Sequence, residues 1–134
     1  MSQVRVFFHN HLITSLTEDE LSALRTDFKS YKESGEIPDT FGRDAPYNHS
    51  NSLPIVLSEE LAHIHLADGD VVWPDNTLQF YRTSDTHLVY CQGYTKTNCY
   101  LLMAILTPDA HAQAQNNSIM HNLGKMAEKF RQQY

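Results

Sequence analysis

The stretch CYLLMAIL, Cys99–Leu106, is apolar at every position. A strand with one wet face alternates polar and apolar residues, so a strand without alternation must be covered on both sides. This octapeptide therefore predicts a central strand with a layer of structure above it and another below. The preceding stretch HLVYCQ, His87–Gln92, is joined to it by a short polar turn containing Gly93 and Asn98, which predicts an antiparallel pair. Further upstream, residues 61–66 read LAHIHL. Ala62, Ile64 and Leu66 fall on one face of a strand, and His63 and His65 on the other. Leu78–Arg82 and His87–Gln92 flank Thr83–Thr86 and read as a hairpin. A two-residue turn at Ser84 and Asp85 would set Arg82 opposite His87, whereas a four-residue loop would offset that register. Gln3–Phe8 (QVRVFF) alternates and is a short strand.

Two helices are expected to cover this sheet. Thr17 is placed as an N-cap with Glu20 three residues on, a capping box, and Leu16 and Leu21 occupy the staple positions. Loss of that cap costs about 1 kcal/mol. Leu21, Leu24, Phe28 and Tyr31 follow at helical spacing, and Gly35 supplies the stop. From about Ser118 a second helix carries Ile119, Leu123, Met126, Ala127 and Phe130 on one face and His121, Lys125 and Lys129 on another. The fold class is α+β: a small antiparallel sheet of three to five strands packed with an N-terminal-half helix and a C-terminal helix. Residues 36–58, with Pro38, Gly42, Pro46 and Pro54, read as a long loop. Phe41 is expected either to be tucked into the core or to belong to a substrate-contacting loop in which Arg43 holds a phosphate. Ala67–Asn76 reads as a turn-like insertion. Cys91 and Cys99 lack metal-like spacing and read as reduced core residues.

A hydrophobic fraction of 41% with 19% charged residues is too apolar for a disordered chain and too polar for a membrane protein. Residues 1–134 are expected to form one domain, and the lack of a signal-type apolar run in Met1–Phe8 points to the cytoplasm. The net charge is −6. It is unevenly spread: residues 17–75 hold thirteen acids against four bases, whereas residues 76–134 hold five bases against three acids. Such a balance excludes a sequence-blind nucleic-acid coater, whose affinity rests on accumulated Lys and Arg.

No familiar catalytic motif is present. What remains is a set of His, Arg and Tyr residues on adjacent strands: His63, His65, Arg82, His87 and Tyr90, with His111 beyond the last strand. His63 and His65, with His87 from a neighbouring strand, could hold a metal, although outward histidines on a half-exposed strand need none. The same residue types suit metal-free cleavage of RNA. That reaction needs a base for the 2′-OH, an acid for the leaving oxygen and a cation to steady the charge on phosphorus.

The chain resembles the YafO family of bacterial toxins from about Leu12 onward. The likeness is carried by Asp39–Ala45 (DTFGRDA), Ala62–Ala67 (AHIHLA), His87–Gly93 (HLVYCQG), Leu101–Leu106 (LLMAIL) and Gly124–Glu128 (GKMAE). The resemblance implies a cytosolic toxin of a type II toxin–antitoxin module, a ribosome-dependent mRNA interferase held inactive by a cognate antitoxin of the Phd/YefM type. Thr86–Tyr90 is also distantly similar to the central hairpin of RelE-type toxins, which implies a RelE-like fold. RelE-type enzymes place Arg where this chain has His87. On this reading His87 and Arg82 act at the cut phosphate, with Tyr90 beside them and His63, His65 or His111 as acid or base. Arg43, Lys125, Lys129 and Arg131 hold messenger or ribosomal RNA, and no cofactor is needed. Two alternatives stay open: a metal-dependent hydrolase built on His63, His65 and His87, and a non-enzymatic module that binds the ribosome or a partner.

Overall fold

The computed structural model describes residues 3–68 and 73–134. CYLLMAIL is β5 (Cys99–Leu106), and it runs between β1 (Arg5–Phe8) and β4 (His87–Gln92). Beyond β4 lie β3 (Ala62–Leu66) and, at the far edge, β2 (Phe41–Pro46), giving the order β1-β5-β4-β3-β2. Strands β2 to β5 form an antiparallel meander, and β1 joins parallel to β5. The sheet is thus mixed, with one parallel edge strand.

Both faces are covered, as the apolar octapeptide requires. One face carries α2 (Glu18–Ser34), with Phe28 packed among Val6, Phe41, Ile64, Leu88 and Leu102. The other carries α3 (Pro54–Ser58) and α5 (Asn117–Gln133), whose Leu123, Ala127 and Phe130 meet Val89, Cys91, Leu101 and Met103. Opposite Val89 and Tyr90, β5 has one extra residue, so Leu101, Met103, Ala104 and Leu106 all serve the α5 face. Two short helices complete the chain: α1 (Asn10–Ser15) and α4 (Ala110–Ala114). Cys91 and Cys99 are free and buried in the α5-side core.

Local chemistry explains the helix ends. Thr17 and Glu20 form the reciprocal capping box, and Gly35 ends α2 in the left-handed region at φ 76°. Asn116 caps α5 through the Ile119 amide.

Two expectations are corrected. Residues 36–58 are not a loop: they contain β2 and α3, because Phe41 is buried in the core and Pro54 sits in the first turn of a helix, where it lacks nothing. Leu78–Arg82 is not a strand. Gln79–Tyr81 form a single 3₁₀ turn with Leu78, Phe80 and Tyr81 exposed, and this segment docks on β2 through an Arg43 N–H bond to the Arg82 carbonyl of 2.8 Å. His87 therefore faces His65 and Leu106, not Arg82. Within the expected insertion at Ala67–Asn76, residues 69–72 lie outside the described residues.

Candidate active site

Strand alternation builds the site. His65 lies directly opposite His87, and His63 opposite Val89, so all three imidazoles project from the α5 face of β3 and β4. The ring centroids of His63 and His87 are 4.4 Å apart, as are those of His65 and His87. Tyr47, just past β2, stacks on His63 at 4.1 Å, and its hydroxyl lies 3.0 Å from Nδ1 of His87. The Ser84 amide donates to Nδ1 of His65 at 2.9 Å, and the Ser84 carbonyl lies 2.9 Å from the same nitrogen.

These rings line a cleft of about 1110 Å³ walled by β2, β3, α3, α4 and the first turn of α5. Arg43 also lines it, with its guanidinium 4.2 Å from the centroid of Phe80. His111 of α4 stands at the rim, exposed, 6.4 Å from the His87 ring. His87 is only 2% exposed. Burial, reinforced by the neighbouring imidazoles His65 and His111, lowers its pKa to about 4. Burial and then His87 and His65 push His63 down to about 3. His65 is lowered by burial too, and burial raises the Tyr47 phenol. At neutral pH the cluster is therefore a set of uncharged imidazoles beside a protonated phenol and a guanidinium.

Nε2 of His87 and Nδ1 of His63 are buried and have no hydrogen-bond partner. Buried polar atoms are almost always partnered, so two such atoms in one cluster set it apart from an ordinary packed core. The nitrogens of His63, His65 and His87 lie within 4.8 Å of one another, close enough to be considered as a metal ligand set.

Other expected site residues sit elsewhere. Tyr90 points to the opposite face of the sheet, where its hydroxyl donates to Asp44 at 2.6 Å beside Tyr31 and Lys32. Arg82 donates from Nε to the Thr77 carbonyl and does not line the cleft. Arg131 is buried, with Glu60 at 3.1 Å and Glu59 at 3.8 Å. It is committed to holding α5 against the end of α3. Lys125 and Lys129 are exposed on α5, Lys125 bonded to Glu128 at 2.9 Å. No local sequence signal pairs Tyr47 with the histidines: it lies 40 residues from His87 in the chain, and only the sheet brings them together.

Among the described residues no helix is long and apolar enough to cross a membrane. No solved structure matches the chain. A curated relative, the mRNA interferase toxin YafO of Escherichia coli strain K12, is 48% identical over 132 residues, covering 98% of this chain and all of the relative. The model of the family described as toxin YafO, type II toxin–antitoxin system, matches residues 29–132, which include β2 to β5, the three clustered histidines, Tyr47 and Arg43. The chain belongs to the YafO toxin family.

Proposed function

We propose that this chain is a cytoplasmic toxin that cuts messenger RNA on the translating ribosome, using its own side chains as acid, base and cation. The observation that carries the mechanism is the convergence of His63, His65 and His87 with Tyr47 and Arg43 in one cleft. Its partners on this reading are the ribosome, the translated message and a cognate antitoxin of the Phd/YefM type.

Arg43 holds the phosphate at the cut, because a guanidinium gives two parallel donors to phosphate oxygens. It replaces Arg82, whose part is to support β2 through its carbonyl. A neutral imidazole takes the proton of the 2′-hydroxyl as the O2′–P bond forms and the P–O5′ bond breaks. A second, protonated imidazole gives its proton to O5′. The products are a 2′,3′-cyclic phosphate and a 5′-hydroxyl. The rings are uncharged without substrate, but a phosphate anion among them favours the charged form, so substrate entry itself arms the acid. Tyr47 orients the His87 ring through the contact of its hydroxyl with Nδ1. His111, at the rim, is placed to exchange protons with water. Exposed Lys125 and Lys129 are the residues available to ribosomal RNA; Arg131 is not.

Primer extension on a translated and an untranslated copy of one message, after toxin induction, tests the reading. Cuts confined to the translated copy are expected. Intact RNA with arrested translation would instead identify a non-enzymatic ribosome-binding module. Arg43→Gln and His87→Ala are each expected to lower cleavage by about 10²-fold or more. Full toxicity in the folded double variant would remove the cleft as the site.

A further inference from the structure

The three-histidine cluster has the features of a metal site as well as those of a proton relay. Its donors are neutral nitrogens of borderline softness, which suit zinc-class transition metals and not magnesium or calcium. Nε2 of His87 and Nδ1 of His63 are buried and bonded to nothing. Metal-bound histidines characteristically give their other ring N–H to an oxygen acceptor. Two of these rings have an oxygen within reach of Nδ1: the Ser84 carbonyl at 2.9 Å from His65, with the Ser84 amide at the same distance, and the Tyr47 hydroxyl at 3.0 Å from His87. When Nδ1 of His65 donates to the Ser84 carbonyl in place of accepting from the Ser84 amide, its Nε2 lone pair is released for a ligand. A tetrahedral zinc with bonds of about 2.0–2.1 Å sets its nitrogens roughly 3.3 Å apart. The present spacing of up to 4.8 Å is wider than that, so the rings must close around the ion as it binds. The fourth position would face the cleft.

We propose that His63, His65 and His87 bind one zinc-class ion and that the bound ion switches the toxin off. The reason is stoichiometric. Each nitrogen lone pair given to a metal is withdrawn from proton transfer, so rings that hold the ion can serve neither as the base nor as the acid of the proposed cleavage. The inhibitory half rests on the nuclease reading above; the binding half does not.

Purified full-length toxin, stripped with chelator, is titrated with cobalt(II), whose visible absorption reports four-coordination, and the cobalt is then displaced by zinc(II). One equivalent is expected. His63→Gln and His87→Gln should each weaken binding by more than ~100-fold, and Tyr47→Phe, which removes only an outer partner, by ~10-fold. His63 is the less buried position, so His63→Gln keeps the test valid if His87→Gln does not fold, with circular dichroism as the check. Absence of stoichiometric binding, or binding unchanged in His63→Gln, overturns the site. In a zinc-buffered translation reaction, the stripped toxin should cleave message at least ~10-fold faster than the loaded toxin, and chelator should restore the rate. Faster cleavage by the loaded form overturns the off-switch and identifies a metal-dependent hydrolase. If neither form cleaves while the cobalt titration holds, the inhibitory half and the nuclease reading both fall and the metal site stands.

Discussion

His87, itself only 2% exposed, has one ring nitrogen paired with Tyr47 and the other paired with nothing. That arrangement favours the neutral ring and has a consequence for stability. The folded pKa values of His87 and His63, about 4 and about 3, lie below the free value of 6.5, so the unfolded chain binds more protons wherever the pH lies between them. The stability these rings contribute is fully present above pH 6.5 and is lost as the pH falls toward 4 and below. Thermal melts between about pH 7.5 and about pH 4.5 should show a falling Tm, with a shallower fall in His63→Gln. A flat Tm across that window would mean that the rings are not held neutral by burial. Tyr47→Phe tests the same pair from the other side. It keeps the aromatic stack on His63 and removes only the hydroxyl that orients His87. Cleavage should drop by about 10- to 100-fold with a shifted pH–rate profile, and stability should fall by about 1–3 kcal/mol because Nδ1 of His87 loses its partner. An unchanged profile would leave Tyr47 a packing residue.

At the scale of elements, Gly42 controls how β2 meets the 3₁₀ segment. A Cβ there would stand 2.2 Å from the Arg82 carbonyl oxygen and 2.8 Å from the Trp73 ring. The Gly42 carbonyl also accepts from the Gln79 side chain at 3.0 Å. Gly42→Ala must therefore push residues 79–83 off β2 and carry the neighbouring Arg43 out of register with the cleft. Loss of most cleavage with a folded, cooperatively melting protein is expected, measured by primer extension beside calorimetry; wild-type cleavage would show that Arg43 does not depend on this docking. The same region shows where sequence reading stops. The capping box at Thr17, the Gly35 stop, the alternation of LAHIHL and the two-faced apolarity of CYLLMAIL are local signals, and each became the element it implied. Phe41–Pro46 carries Gly and Pro, yet it is an edge strand with a shifted register, where such residues are tolerated. Leu78–Arg82 has the composition of a strand, but its backbone meets the edge strand β2 at its end, through the Arg82 carbonyl, and it turns as a 3₁₀ segment with its apolar side chains facing solvent. The site was half legible for the same reason. His63, His65 and His87 follow from strand alternation once β3 and β4 pair, whereas Tyr47 and the cleft-lining placement of Arg43 depend on β2, and Tyr90 lies one residue out of phase with the cleft.

For the whole molecule, the question is how a protein of net charge −6 handles RNA. The sheet answers part of it. The acidic first turn of α2, Glu18, Asp19 and Glu20, belongs to the face opposite the histidine cleft, and a packed sheet separates the two. Within the cleft wall the basic side chain is Arg43, joined by His49, His63, His65, His87 and His111, and the two most strongly shifted of these rings are uncharged at neutral pH. A surface that neutralises one or two phosphates has little counterion release to draw on, so its affinity for free RNA is weak and only shallowly dependent on salt. On the proposed reading the ribosome supplies the binding energy and orients the message, and the toxin supplies the chemistry at one phosphate. Fluorescence anisotropy with a single-stranded RNA at physiological salt should give a Kd no tighter than the ~10⁻⁴ to 10⁻⁶ M typical of non-specific binding. The slope of log Kd against log salt should correspond to about one or two contacts, and Arg43→Gln should reduce it by about one. Submicromolar binding with a steep salt slope would place a basic RNA surface outside the cleft and remove the reason for the proposed dependence on the ribosome.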